Sequence, residues 1–199
     1  MDFTKSQICE TAKNMFNERG YQSVSMRQIA AAAGISLGTL TYHYAHKQDL
    51  LAAIMDSTIQ TFPQTAPQDI AGLHVLFRQL LESIADARFY FNDPAVYQAA
   101  PLLQEQRDKN VGCLFSLLEA ALENLVKRGF LVPELTQKRI HQLATVLMLS
   151  HTGWLQHNAS RSRQYEITLE ELLRAQWAAV YPYLTEKGVE EYENGAAAK

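Results

Sequence analysis

The stretch from Ser25 to Lys47, SMRQIAAAAGISLGTLTYHYAHK, constrains the fold more than any other part of the chain. Ser25 precedes Gln28 by three residues, the spacing at which each side chain bonds the other residue's backbone N–H and starts a helix. Met26, Ile29, Ala30 and Ala33 then recur at helical spacing and give that helix one apolar face. Gly34 follows, a residue that enters the left-handed region without steric cost and so ends a helix. Ile35 tucks under the turn, and Ser36 caps a second helix running to about Tyr44. Two short helices joined by a tight glycine turn make a helix-turn-helix. Where such a unit meets DNA, its second helix lies in the major groove and its first crosses the backbone.

The plain alternative is a helical hairpin inside a larger bundle. The second helix argues against it. Leu40 packs inward, while Ser36, Thr39, Thr41, Tyr42 and His43 offer hydroxyls, a phenol and an imidazole on the remaining positions. Such groups suit phosphate oxygens and base edges, and a hairpin built only to pack has no use for them. Lys47 stands at the start of the next helix, where its charge opposes the helix dipole. A nearby phosphate would offset that cost.

Gly38, Leu40, Tyr42, His43, Tyr44 and Lys47 together resemble the DNA-binding signature of the TetR family of bacterial transcriptional regulators. The likeness covers about the first quarter of the chain. Leu37 stands where the family often has Lys or Arg, and Thr41 where it often has Tyr, so the resemblance does not carry over an operator sequence. It does imply a DNA-facing set of Ser25, Arg27, Ser36, Leu37, Gly38, Thr39, Thr41, Tyr42, His43 and Lys47. Within it, Thr39 and Tyr42 are expected near bases. Ser25, Arg27, Ser36, Tyr42, His43 and Lys47 are expected at phosphates.

A chain of 199 residues with 47% apolar content can hold one sizeable core, or a small domain joined to a larger one. Its N-terminus does not read as a signal peptide, and no apolar run reaches the length of a membrane helix. Cys9 and Cys113 lie far apart in helical patterns and read as buried free thiols, which fits a cytoplasmic protein. The net charge of −3 is unusual for a DNA binder. Residues 1–50 carry Lys5, Lys13, Arg19, Arg27 and Lys47 against Asp2, Glu10, Glu18 and Asp49, a net of +1, leaving −4 for the rest. Affinity for DNA grows with each phosphate neutralised. So few cations per chain point to two linked copies acting together.

Helical patterns continue from end to end. Thr4 and Gln7 read as a capping box before Ile8, Ala12, Met15 and Phe16. A fourth helix runs from Lys47 to about Thr61 and stops at Phe62-Pro63 and Pro67. Longer helices follow over about 68–86, 102–128, 136–158 and from Thr168, with a short piece between Pro94 and Pro101 and a stop at Pro182. About nine helices and no strand pattern give an all-α fold. It comprises an N-terminal helix-turn-helix three-helix domain, residues 1–46, and a larger helical regulatory and dimerisation domain, residues 47–199. In 140–155 the apolar residues do not keep to one face, the mark of a helix buried on more than one side. In the TetR family the last two long helices form the homodimer interface. The Arg88-Phe89-Tyr90-Phe91 segment before Asp93-Pro94 also resembles, more loosely, the regulatory domain of some TetR-like repressors.

A ligand pocket among the middle helices would draw on His74, Phe77, Phe89, Tyr90, Tyr97, Phe115, Met148, His151 and Trp154, apolar walls with a few polar groups. The same residues at helical spacing also read as plain core, and His151 as a satisfied core histidine. No histidine pair has the i, i+4 spacing of a helical zinc site, so no metal and no cofactor is expected. There is no Gly-rich phosphate loop, Gly-x-Ser-x-Gly or His-Glu-x-x-His. The reading is therefore a non-enzymatic, ligand-responsive repressor. It binds a palindromic operator in double-stranded DNA as a homodimer, answers to an unidentified small-molecule effector, and has no membrane partner. An adaptor whose larger domain binds a protein, and a helical enzyme with an unfamiliar site, are the alternatives.

Overall fold

The computed structural model describes residues 5–59, 62–92, 96, 101–159 and 165–196. Thr4, the expected cap of the first helix, and Tyr97 lie outside them. The described residues form ten α-helices: α1 (Lys5–Arg19), α2 (Met26–Ala32), α3 (Leu37–His43), α4 (Lys47–Ile59), α5 (Ile70–Asp86), α6 (Arg88–Asn92), α7 (Pro101–Lys127), α8 (Gln137–Ala159), α9 (Leu169–Val180) and α10 (Glu186–Glu191). The one β feature among them is an isolated antiparallel bridge between Leu131 and Leu184. The fold is all-α, an N-terminal helix-turn-helix followed by a larger helical part, as the periodicity predicts.

The chain divides into two compact units, one of Met1–Thr61 with Ala87–Asp108, the other of Phe62–Asp86 with Lys109–Lys199. In the first, Ile8, Ala12 and Phe16 of α1 meet Ile29 and Ala30 of α2, Leu40 of α3, and Leu50, Leu51 and Ile54 of α4 in one core. Phe89 and Tyr90 of α6 join it. The Phe89 ring lies 5.2 Å from that of Phe16, and its backbone N–H donates to Asn17 Oδ1 at 3.0 Å.

The second unit is built on Trp177 of α9, which is 2% exposed. Its indole N–H donates to His74 Nδ1 at 3.1 Å, Phe77 meets its ring edge-on at 5.5 Å, and Tyr192 covers it at 4.7 Å. Thr168 caps α9 through the predicted capping box with Glu171. Asp69, not Gln68, starts α5, accepting from the Gly72 N–H at 2.8 Å. Gly129, at φ +74°, turns the chain off α7, with the Phe130 N–H reaching back to the Leu125 carbonyl. Pro182 does end its helix: α9 stops at Val180 and a 3₁₀ turn, Tyr181–Tyr183, carries the proline. Cys113 is exposed and Cys9 half-buried, so the expectation of two buried thiols fails. Both are free, and Cys113 points off the buried stripe of α7.

α10 is clamped onto the α7–α8 turn. The Thr185 N–H and hydroxyl both reach the Phe130 carbonyl, and Lys187 lies 3.9 Å above the Phe130 ring. Gly188 sits so close to the Phe130 carbonyl oxygen that a Cβ there would collide with backbone. Two polar side chains lie deep in this unit: His151 (1% exposed) on α8 and Gln176 (2% exposed) on α9. Burial pushes the His151 imidazole down to about 4, against a weaker upward pull from the Leu147 and Met148 carbonyls.

Two outcomes follow from this packing. Gly188→Ala should cost about 1–3 kcal/mol in denaturant unfolding, the usual penalty for overpacking against a backbone that cannot retreat. Gly195→Ala, which faces open space, is the near-neutral control. His151 takes up a proton in the unfolded chain below its ordinary value near 6.5 but stays neutral when folded until about pH 4. Stability is therefore full above pH 6.5 and falls as pH drops toward 4, by roughly 3 kcal/mol over the window. Thermal unfolding of His151→Gln across pH 7.5 to 4.5 should show a shallower loss than the parent.

Candidate nucleic-acid interface

The helix-turn-helix is assembled from caps. Ser25 Oγ accepts from the Gln28 N–H at 3.3 Å, while Gln28 Oε1 accepts from the Ser25 N–H at 2.8 Å. Both halves of the predicted capping box are present. Gly34 takes φ +68°, and the Ile35 N–H returns to the Ala30 carbonyl at 3.0 Å, closing the end of α2. Ser36 then caps α3, its Oγ accepting from the Thr39 N–H at 2.9 Å. Ile35 is partly buried against the core.

α3 is seven residues long and buries Leu40 alone. Burial of one leucine stabilises by about 1.5–3 kcal/mol, and here it fixes which way the helix faces. Ser36, Leu37, Gly38, Thr39, Thr41 and Tyr42 are exposed, and His43 is half-buried. Tyr42 is 86% exposed, and its ring centroid lies 5.3 Å from that of His43 in an edge-on arrangement. The Ser36 and Thr39 hydroxyls share a hydrogen bond of 2.8 Å. Thr41 spends its proton on the Leu37 and Gly38 carbonyls, leaving its oxygen lone pairs and methyl outward. Ser25 and Arg27 are exposed at the start of α2.

Two residues brace the motif from behind. Tyr44, the C-cap of α3, is 7% exposed and shares a 3.3 Å hydrogen bond with Cys9 of α1. Burial pushes the Tyr44 phenol up beyond its ordinary range and raises the Cys9 thiol as well. Lys47 folds inward. Its ammonium donates to the Tyr21 carbonyl and lies 4.0 Å from the Tyr21 ring centroid and 5.5 Å from that of Phe16. Partial burial pulls its pKa below the ordinary lysine value. Nothing in the local sequence announces this, because Tyr21 is far from Lys47 along the chain.

Of the nine candidates for a ligand site, Tyr97 lies outside the described residues and the other eight fall into two groups. Phe89 and Tyr90 belong to the core of the first unit. His74, Phe77, Phe115, Met148, His151 and Trp154 belong to the second. Of these Phe77, His151 and Trp154 are buried, and Phe115 meets His141 edge-on at 5.2 Å. Gln176, which the sequence reading passed over, is the buried partner of His151. Its place on the α9 stripe, one residue from Trp177, was the available signal. Among the described residues no His, Cys, Asp and Glu cluster could hold a metal ion, and no helix is long and apolar enough to cross a membrane.

Comparison with known proteins agrees with this geometry. Residues 8–54 match the model of the bacterial regulatory proteins of the tetR family, and residues 51–192 match that of a TetR bacterial transcriptional repressor domain. The chain is 27% identical over 167 residues to the HTH-type transcriptional regulator TtgR of Pseudomonas putida, covering 76% of this chain and 78% of that one. It is 32% identical over 81 residues to UidR of Escherichia coli, 41% of each chain. A TetR-family regulator from Marinobacter aquaeolei superposes with a TM-score of 0.80 at 18% identity, over 94% of both chains. SmeT, the repressor of the Stenotrophomonas maltophilia multidrug efflux pump SmeDEF, does so at 0.66 and 20% identity, over 93% of this chain and 92% of that one. The two family models between them span nearly the whole sequence, and the chain belongs to the TetR family of bacterial transcriptional regulators.

Proposed function

We propose that the chain is a homodimeric, ligand-responsive repressor that binds a palindromic operator and acts by binding, not by turnover, in the cytoplasm where bacterial operators are. The observation that carries the DNA-reading part is the exposed face of α3, with one leucine in the core and Tyr42 and the Thr39 hydroxyl turned outward. Residues 1–46 serve as the DNA-binding domain and 47–199 as the ligand-binding and dimerisation domain. Thr39 and Tyr42 reach base edges, with Leu37, Gly38 and Thr41 against the groove. Ser25, Arg27, Ser36, His43 and Lys47 position phosphates, with Tyr42 contributing to both. An ammonium has three N–H donors. Lys47 gives one to Tyr21 and keeps others for a phosphate.

Dimerisation through the last two long helices is supported by what α8 and α9 leave open. Val146 is 58% and Leu149 66% exposed, on the side of α8 away from Leu147, His151 and Trp154. Ala175, Ala178 and Tyr181 are exposed along α9 and just beyond it. Apolar surface of this kind is what a partner helix pair covers. Two linked heads would read half-sites ~34–36 Å apart, or a multiple of that. They also double the small basic excess of one N-terminal region. An unidentified small-molecule effector, held by residues of the second unit such as His74, Phe77, Phe115, Met148, His151 and Trp154, shifts the dimer between DNA-competent and released states.

Paired variants test the interface. Lys47→Ala should weaken binding evenly across operator sequences and lower the slope of log affinity against log salt by about 1. Thr39→Ala should alter sequence preference and leave the salt slope in place. Fluorescence anisotropy on a panel of operator variants at several salt concentrations measures both. An unchanged slope for Lys47→Ala, with reduced thermal stability, would assign that residue to holding the head together and not to phosphate.

A further inference from the structure

Leu40 and Tyr44 are the two points at which α3 is held from the inside. Leu40 is fully buried in the core that α1, α2 and α4 share. Tyr44 follows one helical turn later as the C-cap, its backbone already extended at φ −139° and ψ 100°. Its N–H returns to the Leu40 carbonyl at 2.9 Å, and the residue is 7% exposed. The two anchors do different work. Apolar burial is non-directional, so Leu40 keeps α3 seated but permits it to roll about its own axis. A hydrogen bond is directional. The Tyr44 hydroxyl shares one with Cys9 Sγ at 3.3 Å, a tie between residues 35 apart in sequence. Cys9 lies on α1 between Ile8 and Ala12, both fully buried, so the tie runs to a 15-residue helix seated independently of α3.

The roll of α3 decides what its outward side chains reach. With side-chain tips about 5–6 Å from the axis, a roll of about 10° moves the Thr39 hydroxyl and the Tyr42 ring by about 1 Å. A hydrogen bond to a base edge spans only about 2.7–3.2 Å and weakens steeply beyond it. A phosphate tolerates the same shift, because its attraction for a cation falls off slowly with distance. Arg27 and Lys47, moreover, are not on α3. Cys9 and Tyr44 also line an open cleft of about 400 Å³ between α1 and α4, with Lys5, Glu10, Asp56 and Ser57 in its walls. A phenol deprived of the thiol takes a water there instead, at little cost to the fold as a whole.

We propose that Cys9 and Tyr44 are positioning residues for sequence reading. Their hydrogen bond sets the roll of α3, and with it which base edges Thr39 and Tyr42 meet, without either residue joining the outward face of that helix. The assignment rests on α3 as the reading helix and deepens it.

The test uses the full-length protein and two duplexes, the operator selected from random DNA and a random-sequence duplex. Fluorescence anisotropy at several salt concentrations, with a melting temperature, is read for the parent, Tyr44→Phe, Cys9→Ala and the double variant. The ratio of the two affinities is the quantity that decides. Each single variant should lower it about three- to tenfold per half-site, the share of one hydrogen bond, through operator binding alone. Affinity for the random duplex, its salt slope and the melting temperature should stay near the parent's. The double variant should be no worse than either single one, as two halves of one interaction require. An unchanged ratio in both single variants, with the parent preferring its operator, overturns the positioning role and leaves α3 as the reading helix. A loss that falls equally on both duplexes with a lower melting temperature overturns it too, and marks a brace that only keeps the head folded. So does a double variant whose loss is the sum of the singles. A parent that prefers no sequence overturns both the positioning role and the reading it rests on.

Discussion

A seven-residue helix has no independent stability in water, because nucleating it fixes several residues for very few hydrogen bonds. α2 and α3 are both of that length, and the helix-turn-helix depends on how they are held. The caps at Ser25, Gly34 and Ser36 satisfy their end groups locally. The packing of Ile29, Ala30 and Leu40 on α1 and α4 provides the rest. Leu40 is the only side chain of α3 in the core, so one leucine sets the direction in which Thr39 and Tyr42 point. Tyr44, held by Cys9, and Lys47, held by Tyr21, fasten the two ends of the turn into α4. The face of α3 proposed to meet DNA is thus an outward consequence of an inward arrangement.

That dependence explains what could be read from the sequence. Helix starts at Ser25, Ser36 and Thr168 were legible because a cap is a contract between residues three apart. The stops at Gly34, Gly129 and Pro182 were legible for the same local reason. The exposed face of α3 could be read because on so short a helix the placing of Leu40 inward tells where the others go. What failed to show was long-range. The inward fold of Lys47 depends on where a loop at Tyr21 comes to rest. The Arg88–Phe91 aromatics announce burial but not which core receives them, and Phe89 and Tyr90 enter that of the first unit. Cys113 sits in an apolar pattern yet faces outward, because the stripe of a long helix does not fix the facing of each residue near its edge.

The second unit follows a different logic. Its centre, Trp177, is satisfied: an aromatic cage surrounds it and His74 takes its N–H. One position before it, the Gln176 amide nitrogen meets Ser150 and His151, while its carbonyl oxygen has no partner. A core that resolves one buried polar group fully and leaves the next carbonyl open departs from the rule that buried polar groups find partners. The clamp of Thr185, Lys187 and Gly188 on Phe130 shows how closely the same unit packs elsewhere.

The central claim is that the outward face of α3, presented twice by a dimer, reads DNA sequence. Selection of bound sequences from random duplex DNA by the purified protein at moderate salt tests it most directly. The account predicts enrichment of an inverted repeat with half-sites separated by about one helical turn or a multiple of it. Enrichment of a single unrepeated half-site, or of no sequence at all by a protein that light scattering shows to be a dimer, would contradict it.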